Sequence, residues 1–256
     1  MSSLQAMFDN ARAEGRPAFL PYFPIGYPTY VESLDAIHAM AQAGVDGFEI
    51  GIPFSDPLAD GPTIQAATQQ SLENGTTVRA CLQAVRDLRE RGVTQPMMMM
   101  SYINPLLAYG ADRFAVDASA AGANGLIVPD LPPEEAGLFA EACQHAGLDL
   151  IFFLAPTSSP ERIRLVADRA TGFIYVVSLT GVTGARSQLP TDLTEFIGRV
   201  RQIAEQPLVL GFGISQPDHV RQIAPLVDGY IVGSALVRAR TVDQIRHLAR
   251  SLRAAV

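Results

Sequence analysis

Apolar residues in this chain arrive in short bursts. Eight are strand-sized and bounded by Gly, Pro or Asp: residues 18–23, 47–52, 97–102, 125–128, 150–154, 173–178, 208–212 and 229–232. Between them run stretches with helical spacing, at 31–43, 64–72, 78–91, 113–121, 133–145, 160–167, 193–204, 216–223 and 237–252. Continuous apolar strands alternating with amphipathic helices predict a parallel sheet covered by helices. A weak repeat supports this. Ala43-Gly-Val-Asp-Gly, Ala121-Gly-Ala-Asn-Gly, Ala146-Gly-Leu-Asp and the looser Pro225-Leu-Val-Asp-Gly each precede a strand. They read as a glycine-capped helix end and then, in three of the four, a tight Asp-Gly or Asn-Gly turn. Eight such units in 256 residues fit the α/β class. The expected architecture is one (β/α)8 TIM barrel over residues 1–256 with an extra N-terminal helix. Its chemistry belongs at the C-terminal ends of the strands, where the longer connections are 53–62, 103–112 and 179–191.

Composition narrows the chemistry. All 19 basic residues are arginine, and lysine is absent. That excludes a lysine Schiff base, an internal aldimine with PLP, and a phosphate loop ending in Gly-Lys-Ser/Thr. A net charge of −7 argues against nucleic acid as a partner. The arginines are scattered and no apolar run approaches the ~20 residues of a membrane span, so no membrane association is expected. The N-terminus lacks a basic and then apolar leader, which points to the cytoplasm. Cys81 and Cys143 fall in helical stretches and read as buried small hydrophobes. His38, His145, His219 and His247 also fall in helical stretches without metal-ligand spacing. They read as solvated or satisfied surface histidines, and no metal site is expected.

Glycine loops follow strands six, seven and eight: Gly181-Val-Thr-Gly184-Ala, Gly211-Phe-Gly213-Ile-Ser215 and Gly233-Ser234-Ala235. Bare backbone N–H groups before a helix bind an anion without a basic side chain, and the loops after strands seven and eight are the recurrent barrel phosphate site. Tight turns alone would account for any one of them.

The stretch from Phe48 to Pro62 carries the most chemistry. Glu49 lies inside an apolar strand, and alternation puts Gly47, Glu49 and Gly51 on one face. Two glycines there leave room around a carboxylate. Such a buried acid is either held protonated or paired with an arginine, and no arginine is near in sequence. Asp56 and Asp60 lie on the following loop. Asp60, two residues before Pro62, could equally cap the next helix.

The segment Glu-Ile-Gly-Ile-Pro-Phe-Ser-Asp-Pro-Leu-Ala-Asp-Gly-Pro at 49–62 resembles the signature of the tryptophan synthase alpha subunit family. The likeness extends over essentially the whole chain. It includes Tyr102-Ile-Asn-Pro105, Val128-Pro-Asp-Leu-Pro132, Gly181-Val-Thr-Gly-Ala185, Gly211-Phe-Gly-Ile-Ser215 and Gly233-Ser234. The resemblance implies a carbon–carbon lyase that cleaves indole-3-glycerol phosphate to indole and glyceraldehyde 3-phosphate. It further implies a beta subunit that uses PLP, an alpha2beta2 assembly, and no cofactor in this chain. By position, Glu49 and Asp60 would be catalytic. Tyr22, Met100, Tyr102, Tyr175 and Phe212 would line the substrate pocket, and Gly184, Gly213, Gly233 and Ser234 would hold the phosphate. Two departures stand out. Tyr22 replaces the Phe of many relatives, and Leu179-Thr180 replaces Arg-Ala before loop six, with Arg186 as the available substitute. Pro53, Pro57, Asn104, Pro105 and Pro132, on strand-end loops, are the expected docking face for the beta subunit. On residues alone, a phosphosugar isomerase and a non-catalytic phosphate-binding subunit remain open.

Overall fold

The computed structural model describes residues 3–177, 191–211 and 213–256. Helix α1 (Ser3–Ala13) leads to β1 (Ala18–Pro24), α2 (Tyr30–Gln42), β2 (Phe48–Gly51), α3 (Pro62–Glu73), α4 (Val78–Glu90) and β3 (Met97–Met100). Then come α5 (Ile103–Tyr109), α6 (Ala111–Ala121), β4 (Gly125–Ile127), a 3-10 turn (Pro133–Glu135), α7 (Gly137–Ala146) and β5 (Asp149–Leu154). The chain continues through α8 (Pro160–Arg169), β6 (Ile174–Val177), α9 (Thr191–Arg201), β7 (Leu208–Gly211) and α10 (Pro217–Ile223). It ends with β8 (Gly229–Val232), α11 (Ser234–Val237) and α12 (Val242–Arg253). The strands pair in parallel in chain order and β8 closes on β1, so the molecule is the expected TIM barrel with an added N-terminal helix.

Three predicted segments differ. The 103–112 connection contains α5, whose Leu106 is buried and whose Pro105 sits in the first turn, where a missing N–H costs nothing. The predicted helix 237–252 is broken, because the Thr241 hydroxyl accepts the Gln244 N–H and starts α12 afresh. The predicted helix 133–145 opens as a separate 3-10 turn, and α7 begins only at Gly137.

The Asp-Gly and Asn-Gly repeat also has a different meaning. Asp46 Oδ2 accepts the Phe19 N–H at 2.8 Å, Asn124 Oδ1 that of Met97 at 2.9 Å, and Asp228 Oδ2 that of Leu208 at 2.8 Å. Thr171 Oγ1 does the same for Leu150 at 2.7 Å. Each of these residues lies just before an even-numbered strand and clamps the base of the odd-numbered strand before it. Arginines bind three of them: Arg16 to Asp46, Arg89 to Asn124 and Arg201 to Asp228. The glycine after each is required by close approach. A Cβ on Gly125 would lie 2.9 Å from the Asp149 carbonyl oxygen, and one on Gly229 3.1 Å from that of Ala18.

Helix α1 closes this same end. Its Leu4, Met7, Phe8 and Ala11 are buried, and the Phe8 ring meets Phe173 edge-on at 5.9 Å. Packing and strand clamps thus occupy the N-terminal end of the barrel, while the C-terminal end carries the acidic loop after β2.

Candidate active site

Register places the key side chains. Tyr22 pairs with Glu49, Glu49 with Met98, and Gly51 with Met100, so all five share the inner face of the barrel. The two glycines flanking Glu49 do not leave it space, contrary to the expectation. A Cβ on Gly47 would lie 2.7 Å from Met7 Sδ of α1, and one on Gly51 2.4 Å from the Tyr22 hydroxyl. Each gap admits a neighbouring side chain, and Glu49 is enclosed at 3% exposure. Among the described residues, nothing forms an ion pair with its carboxyl. Burial, and then the charge of Asp60, push the Glu49 pKa up to about 8. Glu49 is therefore protonated at neutral pH.

Asp60 does not cap α3. Gly61 occupies that position without a side-chain bond, followed by Pro62. Instead the Tyr102 hydroxyl donates to Asp60 Oδ2 at 3.1 Å and accepts the Ala59 N–H at 3.0 Å. The Tyr102 ring packs against Phe54 with centroids 5.4 Å apart. Tyr102 thus braces the carboxylate loop rather than offering a free hydroxyl to a ligand. Burial raises the Asp60 pKa to about 6, with the Tyr102 hydrogen bond holding it down. Asp56 is exposed and bonds its neighbour Ser55, so it stays apart from this group.

Tyr175 enters from the opposite wall. It pairs with Val209, and its ring lies over Gly211, where a Cβ would meet its hydroxyl at 2.1 Å. The ring stacks on Phe153 at 4.6 Å. Burial, then Glu49 and Asp60, raise its pKa, which puts it in the field of both carboxylates. Tyr22 and Tyr175 obey one rule: each leans over a glycine two positions beyond its partner on the next strand.

At the corner where phosphate binding was expected, Gly233 packs against the Tyr22 ring and Ser234 opens α11. Gly213 has φ +80°, and a Cβ there would meet nothing within 4 Å, so its backbone stands open. His219 is not simply solvated. Its Nδ1 lies 3.2 Å from the Gly213 carbonyl oxygen. His38 has a buried Nδ1 without a partner among the described residues. Gly184, Phe212, Leu179, Thr180 and Arg186 lie outside the described residues.

The docking expectation changes in detail. Pro53 is buried, and Asn104 and Pro105 belong to α5 rather than to a loop. Phe54 was missed as a site-shaping residue, and Gly51 and Gly211 were read for other roles than seating a tyrosine ring. Aligning the strands by register would have exposed the two tyrosine–glycine pairs.

The family model described as tryptophan synthase alpha chain matches residues 8–255. The tryptophan synthase alpha chain of Chloroflexus aurantiacus is 51% identical over 237 residues, covering 93% of this chain and 89% of that relative. That of Roseiflexus castenholzii is 53% identical over 237 residues, covering 93% and 91%. A solved Mycobacterium tuberculosis tryptophan synthase structure has a TM-score of 0.94 at 42% identity, covering 100% of this chain and 98% of that chain. The tryptophan synthase subunit alpha of Legionella pneumophila scores 0.91 at 33% identity, covering 100% and 98%.

Proposed function

The chain belongs to the tryptophan synthase alpha chain family, and from that membership we propose that Glu49 and Asp60 divide the acid–base work of the family's reaction. That reaction is the cleavage of indole-3-glycerol phosphate to indole and glyceraldehyde 3-phosphate, a lyase step in tryptophan biosynthesis. The bond to be broken joins indole C3 to a carbon bearing a hydroxyl. An aryl carbanion leaves poorly, so C3 is protonated first. Protonated Glu49 supplies that proton, and the ring becomes a cationic indolenine. Ionised Asp60 stabilises the positive charge at the ring nitrogen. The Glu49 carboxylate then takes the proton of the side-chain hydroxyl. The carbon–oxygen bond becomes a carbonyl, the carbon–carbon bond breaks, and its electrons return to the ring. Glu49 ends protonated, ready for the next turnover.

The observation that carries this reading is a buried acid that has no ion-pair partner among the described residues and stands beside a second carboxylate of lower pKa. Tyr22, Met100 and Tyr175 line the ring pocket. The open Gly213 backbone, Gly233 and Ser234 take the phosphate. Glu49→Gln should lower indole release about 10²–10⁴-fold. Binding of 3-(indol-3-yl)propyl phosphate, an uncleavable analogue, should persist. Turnover within a few-fold of the parent chain would remove Glu49 from this role.

Membership also implies a beta-subunit partner, and PLP belongs to that subunit. An alpha2beta2 assembly in the cytoplasm is the form we expect. The docking rim is the mouth beside β2 to β4. There Leu58 is 91% exposed, and Leu107 of α5 and Leu138 of α7 are also exposed. No described helix is long and apolar enough to cross a membrane.

A further inference from the structure

We propose that the Tyr22 hydroxyl donates a hydrogen bond to the substrate hydroxyl on the carbon attached to indole C3. In that position it holds the oxygen while the hydroxyl proton faces Glu49. This rests on the assignment of Glu49 made above.

The argument begins with where Tyr22 starts and ends. Its ring leaves β1 against Gly233, at the phosphate corner. Its hydroxyl finishes over Gly51, on the strand that carries Glu49. Tyr22 and Glu49 are direct cross-strand neighbours on the inner face. The hydroxyl therefore lies between the two ends of the proposed ligand. Asp60 takes the ring N–H at one end, and backbone N–H groups take the phosphate at the other. The reacting carbon and its oxygen lie between them, because Glu49 must reach both C3 and that hydroxyl.

The hydroxyl is also uncommitted. Among the described residues it has no hydrogen-bond partner, although Tyr22 is buried. Tyr102 offers the contrast, since its hydroxyl is engaged by both Asp60 and Ala59. The ring is buried, but the oxygen is not among the buried unsatisfied atoms, so it remains accessible for a ligand oxygen to take its hydrogen bond. Burial and the nearby Asp60 and Glu49 charges raise the Tyr22 pKa well above its ordinary value. The group thus stays neutral and remains a donor across the working pH range. A donor beside two carboxylates suits a substrate oxygen that must give its own proton to one of them.

Tyr22→Phe keeps the ring over Gly51 and removes only the oxygen. Two ligands separate hydroxyl recognition from pocket shape. One is indole-3-glycerol phosphate, measured in a Glu49→Gln background so that it is not consumed. The other is its analogue lacking only the hydroxyl next to the ring, which cannot be cleaved. Adding Tyr22→Phe should weaken binding of the first about tenfold and leave the second unchanged. In the otherwise unaltered chain, kcat/KM should fall by at least the same factor with an unchanged thermal midpoint. Unchanged affinity for the first ligand on adding Tyr22→Phe, or equal loss for both, would overturn the proposal. If the Glu49→Gln chain still turns over, it is the Glu49 assignment that fails. The kcat/KM ratio of Tyr22→Phe to parent then decides on Tyr22: a value within twofold of unity overturns it, and a tenfold loss sustains it.

Discussion

Glu49 holds its proton because of what surrounds it, and this has two consequences for pH. In the proposed mechanism, activity requires Glu49 protonated and Asp60 ionised. With pKa values of about 8 and about 6, kcat/KM should rise through the lower value and fall through the upper one. Removing the Tyr102 hydroxyl takes away the bond that lowers the Asp60 pKa. In Tyr102→Phe the acidic limb should therefore move to higher pH, with kcat/KM reduced several-fold across the profile. The second consequence is for stability. The folded-state pKa of Glu49 lies above its ordinary value of 4.5, so its contribution is fully present below that value and is lost as pH rises through about 8. Glu49→Gln carries no ionisable group. Its thermal midpoint should therefore gain on the parent's between about pH 4.5 and about pH 8. A gap that stays constant over that range would contradict a buried, protonated Glu49. The position of Glu49 within an apolar strand was legible from alternation alone. What enclosed it was not, because Met7 and Tyr22 reach its flanking glycines from other elements.

At the scale of elements, all eight strands fall within a residue of the windows read from apolar bursts, since a strand buried on both faces must be continuously apolar. The ends of helices were less legible, because they depend on single hydrogen bonds. Asp130 accepts the Ile103 N–H and starts a helix where only a loop was expected. The Asp-Gly repeat was visible, but its purpose was not, because its partners lie one strand back. Asp46 shows what the clamp contributes. It satisfies the Phe19 N–H and both ends of the nearly buried Arg16 guanidinium. Asp46→Ala leaves that cation without its main partner and should cost about 3–5 kcal/mol, read as a lower urea midpoint. Thr171→Ala removes a neutral clamp with no arginine attached and should cost about 1 kcal/mol. Similar losses for the two would show that the buried charge is not the larger part.

Over the whole molecule, stability and chemistry occupy opposite ends of the barrel. Strand clamps and α1 hold the base; the carboxylates, open glycine backbone and apolar rim lie at the mouth. Surface changes at the rim should therefore alter assembly without unfolding the chain. Leu107→Asp on α5 is the direct test. It should weaken co-purification with the beta subunit while indole release by the isolated chain and its thermal midpoint stay as in the parent. Unchanged co-purification would move the docking face elsewhere. The ring of tyrosines around the mouth has a further, optical consequence. The chain contains no tryptophan, so a bound substrate brings the isolated protein its one indole chromophore. Light absorbed by indole but not by phenol sees the ligand alone. Tyr22, Tyr102 and Tyr175, excited at shorter wavelength, stand close enough to pass their energy to it. Occupancy of the site is thus written in the emission colour of the unlabelled chain.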